Sequence, residues 1–220
     1  MRNTRIGTVI LALIAVFAMS AVAASAASAA ELEQSPSSGK FKVESKGGSF
    51  ETTKGEVIKC SSVKGEGELT GAKTSKSKVS FEGCKAKEII EVSCSTKGAK
   101  SGVIETEITS ELVWLNKSKK EAGEDLVLTK ELEITCSIVK IKVKGSTICP
   151  VSPVNTKTTK IELTCKQSKG KQEFTEYENE KGEKKKDITE SSKSGGAFVE
   201  SGLESTETLT LEKEGELIVT

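Results

Sequence analysis

Six cysteines offer the densest reactive chemistry in this 220-residue chain: Cys60, Cys84, Cys94, Cys136, Cys149 and Cys165. Thiols of this number could hold zinc, act as a nucleophile or form disulfides. Zinc sites favour close C-x-x-C pairs, whereas the closest pair here, Cys84 and Cys94, has nine residues between its members. A catalytic thiol needs a depressed pKa, usually from a histidine or a helix N-terminus, and the chain contains no histidine. An even cysteine count in an exported chain reads as a disulfide framework. Six cysteines allow 15 pairings, so connectivity stays open. The spacing favours Cys84–Cys94 as a local staple, Cys149–Cys165 around a proline-interrupted loop, and Cys60–Cys136 between the two halves of the domain.

Carboxylates are the other candidate chemistry. Glu105 and Glu107 share a strand face, and a correctly separated pair can hydrolyse a glycoside. Thirty glutamates make such pairs unavoidable by chance, so a solvated strand face is the expected role. Lys184, Lys185 and Lys186 could touch an anionic polymer, but Glu183, Asp187 and Glu190 offset their field, which suits a solvated loop. Trp114 could be a ligand platform. Its alternation with Ile108 and Leu112 places it in the core instead.

Absences narrow the function further. Without histidine there is no Ser-His-Asp or Cys-His mechanism and no Cys–His zinc site. The only arginines are Arg2 and Arg5, so bidentate recognition of phosphate or guanine is missing from the rest of the chain. Beyond them, 31 lysines face 32 acids, and a near-neutral chain is a poor nucleic-acid binder. Only Asp125 and Asp187 represent aspartate, too few for an EF-hand-type loop. These exclusions predict a non-enzyme with no cofactor and no metal site.

The elements that carry these residues read as strands. In "SGVIETEITSELVWLNK", Ile104, Thr106, Ile108, Ser110, Leu112 and Trp114 share one face, and Glu105, Glu107, Thr109 and Glu111 the other. That two-residue period marks a half-buried strand. Phe41 and Val43, Phe50 and Thr52, Val79 and Phe81, and Leu132, Ile134, Cys136 and Ile138 alternate in the same way. The phase then flips to Val139, Ile141 and Val143, which signals a bulge or a strand end. Glycine turns such as "SKGGS", "VKGEGE" and "NEKGEK" separate the runs. No run shows a 3.6-residue apolar period. The expected fold class is all-β: one antiparallel β-sandwich or barrel. Leu, Ile, Val and Phe are sparse, close to the ~20% below which disorder is usual, so crosslinks should carry part of the stability. "ENEKGEKKKDITESSKSGG" reads as a protruding hairpin or loop.

The N-terminus orders basic, apolar and small residues: Arg2 and Arg5, then Ile6 to Ala18, then "ASAASAA". That is the pattern of a secretory signal peptide, with cleavage expected after Ala29 or Ala30. The apolar run is shorter than the ~20 residues of a spanning helix. The expected organisation is a signal peptide over residues 1–30, a flexible linker over 31–39 and an all-β domain over 40–220. The expected location is secreted and extracellular, with no membrane association after cleavage.

The segments "IKCSSVKGEGELTG", "VSFEGC", "SGVIETEI" and "VKGSTICPVSPVN" resemble a group of uncharacterised secreted β-rich proteins of actinobacteria, over about Val57 to Gln172. The resemblance implies export and a β fold. It implies no activity and supplies no site residues. The function expected is a secreted, non-enzymatic β-domain with a binding or structural role, its partner a cell-envelope polymer or a protein. Two alternatives have distinct signatures. A Glu-dependent extracellular hydrolase needs two carboxylates roughly 5–10 Å apart beside Trp114 or Tyr177. A small-ligand carrier needs a continuous apolar cavity of roughly 300 Å³ or more.

Overall fold

A computed structural model describes residues 31–87, 90–179 and 181–220. The expected signal peptide lies outside them. Every regular element among the described residues is a strand. In chain order these are β1 (Leu32–Ser35), β2 (Gly39–Ser45), β3 (Gly48–Thr52), β4 (Val57–Cys60), β5 (Ser62–Leu69), β6 (Thr74–Glu82) and β7 (Lys85–Lys87). There follow β8 (Glu91–Thr96), β9 (Val103–Asn116), β10 (Glu121–Leu128), β11 (Leu132–Cys136), β12 (Val139–Ser152) and β13 (Thr158–Cys165). The last are β14 (Gln167–Ser168), β15 (Lys171–Gln172), β16 (Glu176–Glu178), β17 (Lys184–Lys186), β18 (Thr189–Lys193) and β19 (Val199–Val219).

The antiparallel ladders close into two rings of eight strands. The first runs β19–β2–β5–β6–β9–β10–β12–β13 and back to β19. The second runs β19–β3–β4–β7–β8–β11–β12–β18 and back to β19. Closure leaves neither ring with an edge strand open to intermolecular pairing. The long strands β12 and β19 belong to both rings and keep one inward face throughout. In β12, Ile141 and Val143 enter the second core, while Cys149 and Val151 enter the first. Sandwich and barrel were both open from the sequence, and the closed ladders decide for barrel.

The alternation of β9 now has a physical reason. Ile104, Leu112 and Trp114 point into the rings and are buried, while Glu105, Glu107 and Glu111 face water. Outer lysines and glutamates pair across strands, as in Lys76–Glu68 at 2.8 Å and Lys78–Glu107 at 3.3 Å. Such exposed pairs contribute a few tenths of a kcal/mol each. On β5, the absence of a side chain at Gly67 leaves room for Phe41: a Cβ there would sit 2.4 Å from the Phe41 ring.

Two expectations need correction, and one open choice is settled. The segment 31–39 is not a linker. It carries β1, which pairs with the end of β19, and Leu32 packs with Leu217 and Val219 in the first core. Asn155 clasps this end, with Val219 N–H donating to its Oδ1 at 2.7 Å and its Nδ2 donating to the Val219 carbonyl at 2.8 Å. The polar tail "DITESSKSGG" is not loop throughout, because β18 closes the second ring and buries Thr189, Ser191 and Ser192. The phase flip near residue 138 is a strand end: β11 turns into β12 through Ser137, at φ 58°.

Candidate functional site

All six cysteines are joined, as Cys60–Cys84, Cys94–Cys136 and Cys149–Cys165. The expected Cys149–Cys165 bond is present. The expected Cys84–Cys94 and Cys60–Cys136 bonds are not. Strand register explains the difference. Ile58 faces Ala86 across β4 and β7, so Cys60 faces Cys84. Cys136 faces Cys94 across β11 and β8. Their Cα atoms are 3.9 and 4.1 Å apart, close to the ~4.5 Å of a pair not hydrogen-bonded to each other in an antiparallel ladder. Cys84 and Cys94 are neighbours too, since Lys85 faces Ser93 and Cys94 N–H donates to the Cys84 carbonyl at 2.9 Å. Cys60, Cys84, Cys94 and Cys136 thus form one row across four adjacent strands. Three of the four are buried, and Cys60 is half-buried against the second core.

Cys60 packs against the second core and borders the cavity inside the rings. The largest groove described, about 1070 Å³, lies on the outer side where the two rings meet. Five lysines line it (Lys46, Lys59, Lys64, Lys160 and Lys166) against Glu44 and Glu204. Lys64 pairs with Glu82 at 3.0 Å. The other four lysines have no carboxylate partner among the described residues. Thr164, Thr206, Thr208 and Thr210 supply a floor of hydroxyls along β13 and β19. The lysines come from two distant regions of the chain, Lys46 to Lys64 and Lys160 to Lys166, so no single window of the sequence displays all of them.

Carboxylates gather in two other places. Glu124 and Glu207 lie inside the first ring among hydroxyls. Ser110 Oγ donates to Glu124 Oε1, Ser75 and Ser110 share a hydrogen bond of 2.6 Å, and Ser205 Oγ donates to Glu207 Oε1 at 3.1 Å. Burial pushes the Glu207 carboxyl up to about 7, the Ser205 hydroxyl pulling it back and the Glu124 charge adding to the rise. Burial raises Glu124 as well, against the pull of Ser110 and Ser75. Glu207 borders an apolar cavity of about 100 Å³ between the two cores, walled by Phe50, Phe81, Leu126 and Leu132 among others. That volume is well below the ~300 Å³ of a ligand pocket.

The second gathering lies on the outer wall of β9 and β10, under the excursion from 166 to 188. The two aspartates that the sequence kept 62 positions apart meet here. Asp125 is buried, with one carboxyl oxygen lacking a hydrogen-bond partner. Burial lifts it to about 7, with Asp187 and Glu111 adding to the rise and the Ser146 hydroxyl opposing it. The Tyr177 phenol is raised by burial and by the charges of Asp187, Asp125 and Glu111. No sequence signal marked this cluster.

The residues singled out from the sequence lie apart from both. Glu105 and Glu107 are exposed, with Glu107 paired to Lys78. Trp114 is 1% exposed in the first core. Lys184, Lys185 and Lys186 form β17 opposite Glu176, Tyr177 and Glu178, with Lys184 3.8 Å from Glu176. Among the described residues, no group of three or more acidic or thiol side chains is arranged to hold a metal ion, and no helix is long and apolar enough to cross a membrane.

No family model, curated protein or solved structure matches the chain.

Proposed function

We propose that this chain is a secreted, non-enzymatic β-domain that binds an extended anionic polymer of the cell envelope in the lysine groove. The observation that carries the reading is the groove itself. In a chain whose charges nearly cancel, five lysines face two glutamates around one long depression. Lysine ammonium groups act as point charges toward carboxylate or phosphate groups, and the threonine hydroxyls can donate to the same groups. A polymer bearing one anion per repeat can meet several lysines in turn. Nucleic acid fits less well, because the lining has no aromatic ring on which bases could stack. Three disulfides belong to an oxidising compartment. The basic-apolar-small N-terminus agrees with export.

The test is titration of the mature chain with polygalacturonate and with neutral dextran. Saturable binding to polygalacturonate alone, weakening as salt rises, is expected. Joint replacement of Lys46, Lys59, Lys160 and Lys166 by glutamine should weaken it at least tenfold, whereas glutamine at Lys184, Lys185 and Lys186 should not. Equal binding to both polymers, or to neither, refutes the reading.

One observation favours a second reading, an acid-dependent hydrolase. Asp125, raised to about 7, sits with Asp187 and Glu111 beside Tyr177. Release of reducing sugar from a glycan panel, abolished in Asp125→Asn, would establish it. The small-ligand carrier has no such support, given the volume of the cavity between the cores.

A further inference from the structure

We infer that residues 173–179 and 181–188 form a pH-operated strap, which lies closed on the outer wall while Asp125 holds a proton and lifts when that proton is lost. The inference rests on neither the polymer-binding nor the hydrolase reading.

The outer face of β9, β10 and β12 is covered where a barrel wall would otherwise meet water. Leu112, Trp114 and Cys149 point into the first core, yet Val113 and Ile148, which alternate with them, are buried as well. Asp125 faces Glu111 across β9 and Ile148 across β12, and Gly123 faces Val113, so these residues share the outer face. The strap packs over it. Phe174 bridges to Ile148 and Glu178 to Trp114, and the Lys117 N–H donates to Glu178 Oε2 at 3.3 Å. Where the chain returns, the Asp187 N–H donates to the Thr175 carbonyl at 3.0 Å and the Ser146 N–H to the Ile188 carbonyl at 3.3 Å. Between these points β16 and β17 pair with each other. A cover joined to its wall by single bridges instead of a continuous ladder belongs to the low-stability end of a fold and opens locally.

Asp125 is the weak point of the closed state. Its side chain is buried and its Oδ1 has no hydrogen-bond partner. The charges acting on it are Glu111, directly opposite on β9, and Asp187 on the strap, and both are negative. The neutral polar groups beside it are Ser146 on β12 and Tyr177 on the strap. An ionised Asp125 is therefore a buried charge among like charges, which disfavours the closed state. A protonated Asp125 instead has Asp187 within hydrogen-bonding reach, and that bond ties the strap to β10. Lifting the strap returns Asp125 to water and carries Asp187 away, so the carboxyl falls from about 7 toward its ordinary 3.8. Closing takes up a proton. The stability that this proton gives the closed state is complete below the ordinary value, is lost as pH climbs through 7, and changes no further above it.

The experiment follows amide hydrogen exchange of the oxidised mature chain at pH 5 and pH 8, with each rate divided by the intrinsic rate of that amide at that pH. The Asp187 and Ser146 N–H groups report on the strap, and the N–H groups of β5 report on the ring beneath it. Protection of the strap amides should fall by at least about tenfold from pH 5 to pH 8. At pH 8 they should be at least about tenfold less protected than the β5 amides, which marks the opening as local. Equal protection of the strap at the two pH values, or equal protection of strap and β5 at pH 8, overturns the inference. In Asp125→Asn the fall should vanish, and in Glu207→Gln, which alters a carboxyl inside the ring, it should persist. A fall in Asp125→Asn matching wild type, or its loss in Glu207→Gln, overturns the role of Asp125. Should Asp125→Asn not fold, Asp187→Asn, at a half-buried position on the strap itself, provides a second test. It removes one of the two like charges and should shrink the fall several-fold, and an unchanged fall overturns the inference. The readout is local exchange, so its failure is distinguishable from a failure to bind polymer or to release sugar.

Discussion

Replacing Glu207 by glutamine should stabilise the protein at pH 8 and slightly destabilise it at pH 4. The carboxyl is pushed from its ordinary 4.5 up to about 7, chiefly by burial. Because folding raises this pKa, the folded chain holds a proton that the unfolded chain releases. The stability linked to that proton is complete below about pH 4.5 and is lost as pH climbs through 7. A shift of about 2.5 pH units at 1.36 kcal/mol each amounts to about 3 kcal/mol at pH 8. Glutamine carries no charge, so it avoids this loss. Its amide oxygen can still accept from Ser205 Oγ, which lies 3.1 Å from the carboxylate oxygen it would replace. Its extra N–H costs about 1 kcal/mol if it finds no acceptor. The net gain at pH 8 is therefore about 2 kcal/mol, or roughly 4–8 °C in Tm for a chain of this size, with a loss of about 1 kcal/mol at pH 4. Urea unfolding of wild type and Glu207→Gln at pH 4, 6 and 8, disulfides intact, measures both values. A stability difference between the two proteins that is the same at all three pH values would refute the reasoning, because it would mean that the wild-type carboxyl does not change its protonation on folding.

Three further outcomes are expected. Asp125→Asn should likewise flatten the decline in stability above pH 4, since this carboxyl also rises to about 7 on burial; an unaltered pH profile in urea unfolding would contradict that. Gly67→Ala should lower stability by about 1–3 kcal/mol through overpacking, because its Cβ would meet the Phe41 ring and the Lys76 carbonyl; a urea midpoint matching wild type would contradict it. Cys149→Ala/Cys165→Ala should lower stability by about 3 kcal/mol, in keeping with a loop of 16 residues, and a loss by urea titration smaller than about 1 kcal/mol would remove this bond from the account of the lean core.

The strands were legible because their cause is local. A half-buried strand needs alternate apolar positions, and the stretch from Ile104 to Trp114 supplies them along one face. The burial of Trp114 and the exposure of Glu105 and Glu107 followed from that alternation. Residue counts also limited the chemistry, since no fold can supply a missing histidine. The cystine pairing was legible only in part. Cys149 and Cys165 flank a single connection, so spacing pointed to their bond. Cys84 has two opposed neighbours, Cys60 and Cys94, and sequence distance favours the wrong one.

Thus the sequence by itself determined an all-β domain with solvated Lys/Glu faces, six cysteines committed to crosslinks and no histidine-dependent chemistry. Only the tertiary structure decided that the ladders close into two rings sharing β12 and β19. It also decided that residues 31–39 cap the first ring, that Asp125 meets Asp187, that Glu124 and Glu207 lie inside, and that five dispersed lysines form one groove. The physical reason is the difference in range. Alternation and turn chemistry act within a few residues, whereas ring closure and charge clustering depend on which distant strands become neighbours, and that is set by the register of the whole barrel.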